Sequence, residues 1–349
     1  MKKKAIIALA AWAPLMAIAQ TQVTELNLGI AANGVNYALP KTAVRVDASA
    51  IKVSYVPGEF SKYANRYLHV GEVSSEASTT WSITHINVRQ EGVPDTTKVF
   101  TVKMKDKTVA PLAQLTPSGI LVAVNTSVPS EESASSAPRT TNHKLETRQY
   151  LTEEILSATS TAKMAELAAQ EILDIRESKN AIKRGQVESM PQDGASLKIV
   201  LDELNRQEDA LTQLFVGYSD TTFISRSFSL VPTADIDRHV LFRFSKKLGF
   251  VDADDLAGNP YYLSVKDQHT VVLPSEKEAA KRKIEGLVYN MPSMARVTLT
   301  TLDGTIYAQE LPFAQFGTID TLSPTLFNKG ATTKLMLHPA TGSILHLEQ

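Results

Sequence analysis

The sequence predicts an α+β protein: two mainly antiparallel, sandwich-like β domains joined through a long antiparallel helical hairpin. Three observations carry that reading. Apolar and polar residues alternate up to about residue 125 and again from about residue 217. Between those blocks the apolar residues recur at the 4-3 spacing of a helical seam. Turn-forming Gly, Pro, Ser and Asp separate the alternating runs.

Residues 1–19 read as an address. Lys2, Lys3 and Lys4 precede an apolar run from Ala5 to Ile18, and Ala17-Ile18-Ala19 supplies the small-x-small pattern of a signal-peptidase site. Cleavage between Ala19 and Gln20 is expected. The rival reading, a membrane helix, fails because the run is about 14 residues against the ~20 needed to span, and Pro14 interrupts it. A periplasmic or secreted protein is therefore expected, without a transmembrane anchor once the signal is removed. The 349 residues hold no cysteine, so there is no lipobox to acylate. The same absence excludes disulfides, thiolate zinc sites, iron–sulfur clusters and a cysteine nucleophile. Hydrophobic residues make up 43% and charged residues 21%, values of a globular chain. Losing the three leader lysines moves the formal charge from −1 to −4. Neither value grips a polyphosphate, so no nucleic acid partner is expected.

The N-terminal β domain is placed at residues 20–125. Val44, Val46 and Ala48 alternate, and Ile51, Val53 and Tyr55 resume after a one-residue slip, the signature of a bulge. Trp81, Ile83 and His85 alternate, then Ile86 and Val88 one register over. Residues 126–142 are rich in Ser, Thr and Pro and read as a linker or exposed loop.

The helical hairpin is placed at residues 150–216. Leu151, Ile155, Ala158, Ala162, Ala165, Ala169 and Ile172 form one seam, capped by Thr152. Gly185 and Pro191 end it. A second helix from Asp193 to Phe215 carries Leu197, Leu201, Leu204, Leu211 and Phe215 on one face, which Glu208 interrupts. At 1.5 Å per residue the two arms are expected to be about 45 and 35 Å long. The C-terminal β domain is placed at residues 217–349. Asp303-Gly304 is its strongest hairpin turn, and a last hairpin is expected around Pro339-Ala340-Thr341-Gly342. Ser275 to Glu285 reads as a short charged helix.

The search for chemistry yields no catalytic residue, no cofactor and no metal set. Ser160-Thr161-Ala162-Lys163 has the SxxK spacing of penicillin-binding enzymes, but Ser49-Ala50-Ile51-Lys52 has it too. With Ser160 expected in mid-helix, it reads as a flank residue. His338 and His346 bracket the last hairpin and could face each other across it. Asp252-Ala253-Asp254-Asp255 hints at a calcium loop, yet Leu256 and Leu263 stand where ligands are needed. Phe60, Tyr63 and Tyr67 share one face of a short helix, where aromatics read as core before they read as a sugar platform.

Several separated motifs carry a resemblance: NYALPKT (36–42), PGEFSKYANRYL (57–68), LTEEILSATSTAKMAELAAQEI (151–172), MPQDG (190–194) and LPFAQFG (311–317). In these the chain resembles a family of exported Bacteroidetes proteins of roughly this length, classed as a domain of unknown function. The resemblance implies an envelope context and brings no catalytic residues. In that context Asp320-Thr321-Leu322 looks like an acceptor for O-glycosylation at Thr321, with Asp95-Thr96-Thr97 and Asp220-Thr221-Thr222 as looser likenesses.

The leading expectation is a non-catalytic structural or interaction protein of the cell envelope. Its candidate docking surface is the tip of the hairpin, at Arg176, Lys179, Lys183 and Arg184, and its partner an envelope protein or a glycan. The alternatives are a glycan-binding module, or a carbohydrate or peptide hydrolase with an unrecognised site.

Overall fold

The computed structural model describes residues 30–31, 34–103, 113–129, 139–187, 193–275, 286–323, 326 and 333–349. The signal segment with Ala19 and Gln20, residues 276–285 of the expected charged helix, and residues 130–138 of the expected linker lie outside them.

Among the described residues, three antiparallel sheets make the body. The first is built on β2 (Gly34–Val56), which pairs along its length with β3 (Ser78–Lys103) and on its other side with β7 (Tyr218–Leu230). Two short strands complete it: β1 (Ile30–Ala31) against β2 and β6 (Arg139–Thr141) against β7. Thus the expected linker ends in a strand, because Arg139-Thr140-Thr141 finds an open edge on β7. The second sheet has the order β12 (Thr305–Leu322), β11 (Leu287–Thr300), β10 (Asn259–Asp267), β8 (Ile236–Ser245), β9 (Gly249–Val251). The third is β14 (Ile344–Glu348), β13 (Lys334–Leu337), β5 (Leu121–Val124), β4 (Ala113–Leu115). The hairpins expected at Asp303-Gly304 and around Pro339–Gly342 are both present, as β11–β12 and β13–β14.

The two β blocks of the sequence do not pack as separate bodies. Val44, Val46, Ala48 and Ala50 of β2 share one core with Leu263 and Val265 of β10 and Ala295, Val297 and Leu299 of β11. Phe242, Phe244, Phe250 and Phe313 fill it, with Phe242 stacked between Phe228 at 4.3 Å and Tyr261 at 4.4 Å. Two half-polar sheets must each cover an apolar face, and here each covers the other's. Thirteen β2–β7 pairs also cross the expected boundary. After β3 the chain therefore builds β4 and β5 of the third sheet, lays β6 at the edge of the first, forms α2–α4, and returns to the centre of the first sheet at β7.

The slip within β2 is resolved differently from the expectation. Inward positions run on through Ala48 and Ala50, both buried, so Ile51, Val53 and Tyr55 turn to the outer face. The extra residue sits in β3, where Ser49 faces His85 and Ala50 faces Ile83. Thr84 is left over, and its hydroxyl donates to Ser49 O at 3.1 Å.

A polar knot ties the third sheet to the other two. The buried Thr42 hydroxyl donates to Ala340 O at 2.9 Å and accepts from Ala314 N at 3.1 Å. Gln315 spans Thr42 N, Thr42 O and Pro232 O. Asn290 donates to Pro40 O and Thr341 O. Beside the knot, Tyr37 and Leu39 of β2 pack with Leu121, Val124, Leu335 and Leu337 in a second apolar core.

Candidate functional site

The helical hairpin is the candidate site. The first expected helix is two: α2 (Glu153–Ser157) and α3 (Thr161–Lys183), preceded by the short α1 (Ala64–Leu68) between β2 and β3. Thr152 caps α2 by accepting from Ile155 N, and Ser160 caps α3 by accepting from Lys163 N at 3.2 Å. A continuous helix would give that amide to a carbonyl one turn back. The Ser160 hydroxyl offers a local alternative, and Ala158 and Ser160 stay extended. Ser160 is thus a helix start, not the mid-helix residue the periodicity suggested. Its partner in the SxxK spacing, Lys163, directs its ammonium to Glu166 Oε1 at 3.0 Å. The second helix, α4 (Gly194–Val216), runs as expected, with Asp193 accepting from Ser196 N at 2.7 Å.

The root of the arm is apolar and tight. Ala165, Ala168 and Ala169 remove bulk from α3, so Ile172, Ile175, Leu211, Phe215, Phe60 and Ile155 meet in one buried cluster. Phe60 and Phe215 lie 5.4 Å apart, and Phe60 N donates to Leu214 O at 2.7 Å. Tyr63 and Tyr67 pack half-buried against the same cluster, so the aromatic run of residues 57–68 is largely core. Two glycines permit the closeness. A Cβ on Gly58 would sit 2.2 Å from Leu214 O, and Gly217 holds φ at +72° where α4 turns into β7.

Halfway along, the seam changes chemistry. Glu208 accepts from Arg176 Nε at 2.6 Å and from the Lys179 ammonium. Burial would raise the Glu208 carboxyl, but hydrogen bonds and charge from Lys179 and Arg176 outweigh it and hold the carboxyl below its ordinary range. Two of the four cations expected at the docking surface are therefore turned to the interface between the helices. Lys183 and Arg184 remain exposed at the C-terminal end of α3, and Ile199 and Val200 are exposed in the first turns of α4.

A shallow depression of about 590 Å³ flanks the root, between α4 and the segment entering β7. Asp209, Thr212, Val216, Tyr218, Asn142 and His143 line it. Gln213 fixes its rim, accepting from Leu145 N and donating to His143 O.

The remaining candidates are dispersed. His346 faces Met336, whereas His338 Nδ1 accepts from Ala340 N, so the histidine pair is not formed. The 252–255 run is a turn, with Asp255 Oδ1 accepting from Ala257 N. Thr321 is half-buried in the β11–β12 ladder opposite Val288, its N–H held by Asp320 Oδ1. Asp95 is buried and held by Lys41 and Thr97, and Asp220 Oδ1 accepts from His143 N. Among the described residues no group of three metal-ligating side chains comes together. No described helix is long and apolar enough to cross a membrane.

Two polar clusters went unread in the sequence. On the outer face of the first sheet, Asp47 accepts from Arg45, Arg89 and Ser227, while Arg45 also reaches Glu91. The alternation Arg45-x-Asp47 opposite Arg89-x-Glu91 was the available signal. In the second sheet Asp267 accepts from the buried Ser293 hydroxyl at 2.8 Å and lies 2.9 Å from His269 Nδ1. The serine points at the carboxylate and not at the imidazole, so this order does not activate a nucleophile.

A family model described as "Domain of unknown function (DUF4831)" matches residues 33–345. No curated protein and no solved structure matches the chain.

Proposed function

We propose that this chain, which belongs to the DUF4831 family of domains of unknown function, is an exported cell-envelope protein that works by binding. In this reading the β body is a scaffold and the end of the α3–α4 arm is the docking surface. The observation that carries it is the division of labour among the arm's cations. Arg176 and Lys179 lock the two helices together through Glu208, while Lys183 and Arg184 stay exposed beyond the lock. A stapled arm presents its end with little ordering cost on contact. The leader-like residues 1–19 support export to the periplasm or beyond.

The test is affinity capture from native envelope, comparing the intact chain with Lys183→Ala/Arg184→Ala. Loss of specific partners from the variant is the expected result, and identical partner sets would sink the docking reading. Glycan binding is the second reading, favoured by the depression at the root, which Tyr218, Asp209 and Asn142 help to line and whose described lining holds no lysine or arginine. Such a lining suits a neutral sugar. Thr321 stays within the proposal as a modification site, to be read from the intact mass of the mature native protein.

A further inference from the structure

The third sheet is unfinished on one side. Its apolar face is buried through β5 and β13, where Leu121, Val124, Leu335 and Leu337 share a core with Tyr37 and Leu39 of β2. On β14 the same face comes out into water. Leu347 stands opposite Leu335 and is 41% exposed, and Leu345, two residues before it, is 56% exposed. β14 is the last strand of its sheet, and among the described residues no strand pairs with its outer edge. Edge strands are ordinarily defended by lysine, proline or an inward-pointing charge. The core face of β14 carries none of these, and the extra residue of its bulge is itself Leu345. Its one acid, Glu348, lies on the opposite face and is held by Lys334 Nζ at 3.0 Å.

We infer that β14 pairs with β14 of a second copy, antiparallel about a two-fold axis at His346. Residues directly opposite in an antiparallel pair share a face. About that axis Leu345 meets Leu347 of the other copy, and Leu347 meets its Leu345. His346 meets its own counterpart on the outer face, and Glu348 meets Ile344 with its charge already matched by Lys334. The faces stay in phase only when the register moves by two residues. Such a move sets Leu347 against Ser343, or Leu345 against Gln349, and two of the four leucines lose their apolar partner. The match of the strand with its own reverse selects a second copy over a foreign strand.

This pairing goes beyond the docking reading and does not depend on it. The third sheet packs on the start of β2 and the arm leaves from its end. From Leu39 to Val56 the strand runs roughly 50 Å, at ~3 Å per residue. A pair therefore carries two free arms. A five-residue strand offers less than the ~800 Å² per partner of a standard interface, so the pair is weak and reversible.

The absence of cysteine makes the test direct. Leu345→Cys, His346→Cys and Leu347→Cys each give the mature chain a single thiol, and cross-linking under mild oxidation is read on a non-reducing gel. Facing residues of an antiparallel pair have Cα atoms about 4.5–5.5 Å apart, inside the disulfide range. Only the thiol at position 346 faces itself, so His346→Cys should cross-link at least about tenfold faster than the other two. Equal rates at the three positions, or a faster rate at 345 or 347, overturn the inference. Sedimentation velocity on the unaltered mature chain, up to about 0.5 mM, should show a monomer–dimer equilibrium. Leu345→Lys/Leu347→Lys should abolish it by setting lysine against lysine. Leu345→Lys/Leu347→Glu alters the same two positions and should restore the dimer through ion pairs that salt then weakens. A monomer throughout, growth past the dimer, or no rescue by the Lys/Glu variant overturns the inference.

Discussion

Replacing Glu208 by Gln tests how the arm is held. The side chain keeps its shape but loses its charge, leaving Lys179, only 14% exposed, without a counter-ion. Removing one partner of a fully buried pair costs ~3–5 kcal/mol. Glu208 and Lys179 retain some contact with water, so their coupling should be about 2 kcal/mol. Arg176 is 42% exposed, and its share discounts to about 0.5 kcal/mol. Glu208→Gln should therefore destabilise the arm by about 2–3 kcal/mol, with the β core less affected. The assay is amide hydrogen exchange across α3 and α4, run as a double-mutant cycle with Lys179→Met. Exchange should quicken in α3 and α4 of the single variant, and the cycle should return a coupling near 2 kcal/mol. A coupling below about 0.5 kcal/mol would refute the reasoning and leave the seam's alanines and isoleucines to hold the arm unaided.

Further expectations concern the body and its titration. Tyr37→Phe should cost about 1–3 kcal/mol in urea denaturation, because its buried hydroxyl donates to Val288 O and accepts from Val288 N. Burial also pushes the Tyr37 phenol far above its ordinary pKa, so stability present below about pH 10 should fall above it. Ultraviolet titration should show one phenol ionising only with unfolding. For the carboxyls, burial raises Asp47, Asp95 and Glu208, but hydrogen bonds from Ser227, Thr97 and Lys179 respectively, with neighbouring cations, more than reverse it. Lowered folded values mean stability that is present above about pH 4 and lost as pH falls further, and Glu208→Gln should flatten that slope in a pH series of unfolding. Gly58→Ala should loosen the arm's root by about 1–3 kcal/mol, since the new Cβ meets the Leu214 carbonyl at 2.2 Å, and faster exchange at Leu214 and Phe215 would report it.

What the sequence revealed and hid follows from how local each signal is. The α4 helix was legible almost to the residue, because Asp193 caps it, its leucines keep the 4-3 spacing, and Gly217 ends it. The break before α3 was hidden, because Ala158 fits a helical seam as well as it fits the extended link it forms; only the Ser160 hydroxyl distinguishes the two. The slip read in β2 was not a slip, since its inward positions keep their parity through Ala48 and Ala50; the real one shows in β3 itself, where the alternation of Trp81 and Ile83 passes to Ile86 and Val88 across the extra residue. The shared core was out of reach altogether. Alternation shows that Val44 and Val297 each face something apolar, and says nothing of whether they face each other. At the arm, the charges of Arg176, Lys179, Lys183 and Arg184 look alike in one dimension. Glu208 separates them, and its intrusion into an apolar face was the one sign that the seam needed a cation.

The course of the chain argues that the arm and the body move as one. Phe60, just past the end of β2, packs against Phe215 at the root, and α4 enters β7 after the single residue Gly217. β7 then pairs with the same stretch of β2 that precedes Phe60, from Val44 to Val56. The Tyr55 hydroxyl closes the loop by donating to Val216 O at 3.0 Å. A load on the arm is thus delivered to β2 through the C-terminal end of α4, both directly and by way of β7, and β2 contributes to both β cores. With no cysteine to staple the chain, this continuity of packed and hydrogen-bonded backbone resists bending at the root, and Glu208 resists splaying above it. A helical pair hung on a loop would need neither device. Their presence together is what a protein needs to hold the far end of the arm at a fixed place relative to its β body.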